Sequence, residues 1–154
     1  YETFYKISMK DWEDRTEKQI DQLSEVPFDL SIHIDTKDLN VRSPSVSADG
    51  QYLAWVGQDE RYEARLKVSK LEVNGNLGPV QEVAKGLIRE ARFFPRSHKI
   101  LYNVIKAASQ VEFYSDLYIY NLETKKNKRL TRKLRGREAQ VSPDENHIVF
   151  VGLE

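Results

Sequence analysis

Three arginines recur at a near-constant interval, Arg42, Arg89 and Arg137, offset by 47 and 48 residues. A guanidinium is planar, permanently charged and rich in N–H donors. Several converging on one point would hold a carboxylate, a phosphate or a partner's acidic segment. Glu90 and Glu138 follow the second and third of them. The competing reading pairs each arginine with a glutamate of the neighbouring repeat, where it would set the angle between repeats. Other chemistry is sparse. No serine lies in Gly-x-Ser-x-Gly, the strained elbow that exposes a nucleophile. The sequence has no cysteine, so disulfides, thiolate metal sites and a cysteine nucleophile are absent together. His33, His98 and His147 are scattered without partners at metal-ligand spacing, and read as structural or solvent-exposed. Asp59-Glu60 and Asp144-Glu145 read as solvated turns rather than general acid/base pairs. No catalytic residue, no metal and no cofactor is expected.

The elements that would position the arginines form a tandem repeat. Pro44-Ser-Val-Ser-Ala-Asp-Gly-Gln-Tyr-Leu-Ala-Trp55, Ala91-Arg-Phe-Phe-Pro-Arg-Ser-His-Lys-Ile-Leu-Tyr102 and Ala139-Gln-Val-Ser-Pro-Asp-Glu-Asn-His-Ile-Val-Phe150 align. Val46, Phe93 and Val141 correspond, as do Leu53, Ile100 and Ile148, then Trp55, Tyr102 and Phe150. A period of this size suits a four-stranded propeller blade, roughly 40 to 50 residues. In the first copy a strand ends at Val46, and Ser47-Ala-Asp-Gly50 turns the chain, with Asp49 bonding its own backbone and Gly50 at positive φ. An apolar second strand covers 52–56. A third covers 65–73 with a register slip near Ser69, Asn74-Gly75-Asn76 turns again, and 80–84 supplies a fourth. The second copy repeats this with Phe93, 100–104, 117–122 and 129–131, a longer loop over 106–115 and a shorter turn over 124–127. The third stops after its second strand.

The expected architecture is therefore mainly β, a partial propeller of two to three four-stranded antiparallel blades preceded by one helix. The boundaries are a helical linker over 1–27, an outer strand within 28–40, blades over 41–86 and 87–135, and a partial blade over 136–152. Ser8 is the helix N-cap with Asp11 reaching back to it, Ile7 and Trp12 form a hydrophobic staple, and Pro27 ends the helix. Leu153 and Glu154 are compatible with a tag remnant, and a start at Tyr1 without methionine points to a removed natural start. Propellers close with about 4 to 8 blades, so this chain reads as part of a longer protein or as one that associates through its open sheet edges.

Ser47-Ala-Asp-Gly-Gln-Tyr-Leu-Ala-Trp55 and Ser142-Pro-Asp-Glu-Asn-His-Ile-Val-Phe150 resemble the S-P-D-G-x-x-I-A-F signature of TolB-like propeller repeats. The pattern departs at Ala48, at Phe94-Pro-Arg-Ser and at Glu145. The stretch Phe4-Tyr-Lys-Ile-Ser-Met-Lys-Asp-Trp-Glu13 looks like the helix closing a zinc metallopeptidase domain in bacterial proteins with a downstream TolB-like propeller. No His-Glu-x-x-His is present, so nothing catalytic carries over. The TolB-like resemblance is specific for the fold and nearly silent on function; the favoured reading is a non-catalytic protein- or peptide-binding or scaffolding module in the periplasm or cell envelope. In a closed propeller the three arginines would ring one mouth of the central channel. The alternative is a regulatory propeller segment of a peptidase whose catalytic domain lies outside this chain. Lys and Arg balance Asp and Glu at 24 each, and the basic run 125–137 lacks interleaved aromatics, so nucleic acid is not expected. Nor is a membrane span, because the apolar runs are far shorter than the ~20 residues one needs. The third possibility, a sugar-binding propeller, has only Phe113-Tyr114 as a loop aromatic pair.

Overall fold

The computed structural model describes residues 3–7, 31–72, 75–107, 109 and 112–152. It contains β1 (Thr3–Ile7), β2 (Ser31–Asp35), β3 (Asn40–Val46), β4 (Tyr52–Gln58), β5 (Ala64–Lys70), β6 (Gln81–Lys85), β7 (Ala91–Phe93), β8 (Lys99–Ala107), β9 (Phe113–Asn121), β10 (Lys126–Arg129), β11 (Arg137–Val141) and β12 (Ile148–Val151). These make two four-stranded meanders, β3-β4-β5-β6 and β7-β8-β9-β10, flanked by the pairs β1-β2 and β11-β12. All strand pairings are antiparallel.

The repeat correspondence holds strand for strand. Val46, Phe93 and Val141 each end the first strand of a sheet and pair with Leu53, Ile100 and Ile148 respectively. Strand β4 is apolar on both faces because both faces are covered. Leu53 and Trp55 turn toward the preceding pair and pack with Ile34 and Leu71. Ala54 and Val56 turn the other way, joining Leu66 and Val68 against Phe93, Ile100, Tyr102 and Tyr120 of the next sheet. Leu101 and Leu117 continue the stack against Ala139, Val141 and Ile148. Aligned positions thus face the same way in each copy, toward the preceding sheet. Each fully buried aliphatic or aromatic side chain contributes about 1.5–3 kcal/mol, so the interiors between sheets hold the stack together.

Several expectations shift. Among the described residues there is no helix. The expected helix behind Ser8 lies outside them, and Thr3–Ile7, assigned to the same linker, is a strand whose aromatic and β-branched residues pair along β2. The slip expected at Ser69 is absent, since β4 and β5 pair without interruption from Tyr52↔Lys70 to Gln58↔Ala64. Apolar side chains continue past Ser69 because Leu71 packs on the opposite face from Val68. The irregularity lies instead in the β5–β6 pairing, between Leu66 and Lys67. In the second sheet, β8 runs on to Ala107 and β9 begins at Phe113, so Phe113 and Tyr114 stand on a strand. Strand β10 precedes the expected 129–131, because the turn falls at 122–125 with Lys125 at φ 54°.

The first strand of each sheet faces a shared space. Ser43, Ser45, Ala91, Arg92, Phe93, Gln140 and Val141 line one cavity of about 460 Å³, which makes β3, β7 and β11 the inner strands. Hydrogen bonds cross between sheets at one-repeat separations. Ser43 Oγ accepts the Ala91 N–H and donates to the Ala91 carbonyl, and Ser45 Oγ accepts the Phe93 N–H.

Candidate functional site

The start of each inner strand is shaped by a local device. In β3 the register jumps between Arg42 and Ser45, and Ser43 takes φ 53°. In β11 it jumps between Arg137 and Gln140, and Glu138 takes φ 54°. Both are bulges, which re-aim the residues beside them. The second sheet has Asn103 instead. Its side-chain oxygen accepts the N–H groups of Arg89 and Glu90 at 3.1 and 3.0 Å, and its amide donates to Ser115 Oγ at 3.2 Å. Asn103 is buried in the otherwise apolar middle of β8.

These devices bring Arg89 and Arg137 into one cleft of about 450 Å³ between the second and third sheets. Leu87, Ile105, Phe113 and Tyr114 form apolar walls, and Arg135 joins the two arginines. Arg135 stands 3.9 Å from Glu112 and over the Tyr114 ring at 6.0 Å. Arg89 and Arg137 are exposed, and among the described residues neither makes an ion pair. Glu90 and Glu138 line the same cleft, and the Glu90 carboxylate accepts the Glu138 backbone N–H at 3.3 Å. Arg42 does not line this cleft. Its Nε and Nη2 are buried, with no hydrogen-bond partner among the described residues. The structure therefore joins two of the three expected arginines. It adds Asn103, which had been assigned to no site, Arg135, weighed only within the basic run, and Phe113-Tyr114, weighed only as a loop pair for sugar. Asn103 could have been noticed as a polar residue standing where the first repeat has Val56.

The histidine and carboxylates read as bland do something else. His98 Nε2 lies 2.8 Å from Asp49 of the preceding sheet and its ring meets Tyr52 edge-on. The Ser47 hydroxyl first, then the Gln51 N–H and His98, hold the Asp49 carboxyl down at about 2. One repeat later, Glu145 accepts the Arg96 N–H at 2.7 Å and the Ser97 hydroxyl at 2.8 Å. Burial works against its charge, but Ser97, Arg96 and Lys99 outweigh it and leave the carboxyl below its usual range. These turns are ties between sheets. Among the described residues no group of three His, Cys, Asp or Glu could hold a metal ion.

No protein-family model and no curated protein sequence matches the chain. Solved structures do. The chain is similar to the tricorn protease at 12% identity and TM-score 0.61, over 79% of this chain and 12% of that one. It is similar to the β-propeller domain of the Trilobed protease from Pyrococcus furiosus, described as having an open velcro topology. There the identity is 19% and the TM-score 0.54, over 73% of this chain and 34% of that one. Puromycin hydrolase matches at 16% identity and TM-score 0.53, over 80% and 18%. The chain thus spans about a third or less of the length of each of these structures. At such identities the likeness is one of fold, and it agrees with the stacked four-stranded sheets: this chain is a β-propeller segment.

Proposed function

We propose that the chain is a non-catalytic, protein- or peptide-binding segment of a TolB-like propeller within a larger bacterial protein of the periplasm or cell envelope. The observation that carries this reading is the cleft holding Arg89 and Arg137, two exposed guanidiniums that make no ion pair among the described residues, with Glu90 and Glu138 on the same lining and an apolar wall beside them. A partner offering a carboxylate next to an aromatic or aliphatic side chain would satisfy both parts. The TolB-like assignment is supported by the Ser-x-Asp turn, which is built alike in two repeats. Ser47 and Ser142 donate to Asp49 and Asp144, which accept the N–H groups of Gln51 and Asn146.

A fluorescent peptide of four glutamates ending in phenylalanine, titrated at low salt, tests the reading. Saturable binding is expected, weakened about 100-fold in Arg89→Ala/Arg137→Ala, as for the loss of two hydrogen bonds to charged groups. Equal binding by the variant, or none by the native chain, would remove the cleft from the account.

A second reading, a regulatory propeller segment gating a peptidase domain elsewhere in the parent chain, is favoured by one observation: two of the similar structures are described as proteases. The native open reading frame separates the two. A peptidase domain encoded beside these repeats supports gating, and its absence counts against it.

A further inference from the structure

We infer that the partner is an extended acidic segment that crosses two consecutive clefts, with carboxylates at Arg89 and Arg137 and an aromatic or aliphatic side chain on Tyr62. The inference rests on the peptide-binding reading of the arginine cleft and adds a second anchor to it. That anchor is a cleft of about 480 Å³ whose lining runs from Tyr62 and Glu63 to Lys85, Gly86 and Leu87. Its walls come from the first complete sheet and from the connection into the second. The two clefts are one feature built twice. Trp55 and Tyr102 correspond in the repeat, which aligns Gln58 with Ile105. Strand pairing then sets Ala64 opposite Gln58 and Ser115 opposite Ile105. Two residues earlier, Tyr62 corresponds to Phe113, and the two are 78% and 52% exposed. The connection to the next sheet closes on the same point in both copies. Gly86 donates its N–H to the Ala64 carbonyl at 3.0 Å, and Gly136 donates to the Ser115 carbonyl at 3.3 Å. Leu87 lines both clefts and is the ridge between them.

Tyr62 is held out into solvent by its loop. It takes φ 60°, an unfavourable conformation for a bulky residue. The Asp59 carboxylate fixes the turn, accepting the N–H groups of Arg61 and Glu63 at 2.9 and 3.1 Å and pairing with Arg65 at 3.1 Å. Tyr62 itself donates its N–H to the Asp59 carbonyl at 2.9 Å. A ring already fixed in place loses little freedom when a partner covers it. The charges around the ridge say what that partner carries. Glu63 is paired with Arg65 at 2.9 Å, whereas Lys85 is exposed and makes no ion pair among the described residues. On the other side of Leu87, three arginines share the lining with two glutamates. Both sides are therefore positive on balance, which an acidic chain complements and a neutral sugar does not. An extended chain advances about 3.3 Å per residue, so a few residues carry it over a single side-chain ridge.

Fluorescence anisotropy tests this with the peptide of four glutamates ending in phenylalanine and with longer versions of it. These carry a tryptophan beyond either end, behind serine spacers of increasing length. One spacer length on one end is expected to bind about 10-fold tighter than its control with serine in place of tryptophan, the worth of one covered aromatic contact. Tyr62→Gly, which suits the left-handed backbone, is expected to abolish that gain and to leave the affinity of the short peptide unchanged. A short peptide that binds, with no gain from any spacer or with a gain that survives Tyr62→Gly, overturns the second anchor and leaves the arginine cleft in place. A short peptide that fails to bind removes the arginine cleft, and this proposal falls with it. Binding of a neutral oligosaccharide that Tyr62→Gly abolishes, with no gain for any peptide, overturns the proposal in favour of a sugar on the ring.

Discussion

Asp38 shows how a single buried charge organises its surroundings. It is almost fully buried, accepts from Trp55 Nε1 at 2.7 Å and pairs with Lys67 at 2.5 Å. Gly57 is required by the same carboxylate, because a methyl group there would run into it. Such a carboxylate is tolerated only while its acceptors are used. Trp55→Phe keeps most of the ring volume and removes one donor. We expect it to lower stability by about 1–3 kcal/mol, read as a lower urea midpoint with an unchanged slope. A midpoint equal to the native one would show that water replaces the indole. Glu145 makes a different trade. It occupies the left-handed turn position at φ 61° that Gly50 takes at φ 72° in the first repeat. The backbone cost is roughly 1–2 kcal/mol, and the side chain in return reaches Arg96 and Ser97.

At the scale of elements, the turns between first and second strands double as fasteners between sheets, and they are acid-sensitive. Asp49 and Glu145 both titrate lower in the folded chain than in an unfolded one. Their contribution is therefore present above the ordinary carboxyl range, about pH 4, and is lost as the pH falls, reaching down to about 2 for Asp49. The urea midpoint should drop between about pH 5 and pH 2, and Glu145→Gln should drop less over the same interval. Equal losses would mean that Glu145 contributes nothing through its charge. The strands themselves were readable in the sequence because β4 and β8 are continuous apolar runs and Gly50 and Asn74-Gly75 punctuate the first repeat. The fasteners were not. His98 and Glu145 act on residues one repeat away, at separations of 48 and 49, and a local reading of a polar turn sees only solvent there. The expected slip at Ser69 had the same cause: Leu71 breaks the alternation of its strand because it serves a different interior.

Across the whole molecule, the period of the sequence already implied successive equivalent sheets, since 47- and 48-residue offsets place like residues alike. It could not say that Arg89 and Arg137 share a cleft while Arg42 does not line it, because the second sheet replaces a bulge with Asn103 at that point. The binding cleft depends on sheets that stack in chain order with equivalent residues in register. Amide and side-chain Overhauser contacts in the isotope-labelled chain measure that stacking directly. The account predicts contacts between residues 43 and 91, 45 and 93, 49 and 98, and 96 and 145, each pair about one repeat apart. Strong contacts within each sheet with none between these pairs would contradict it.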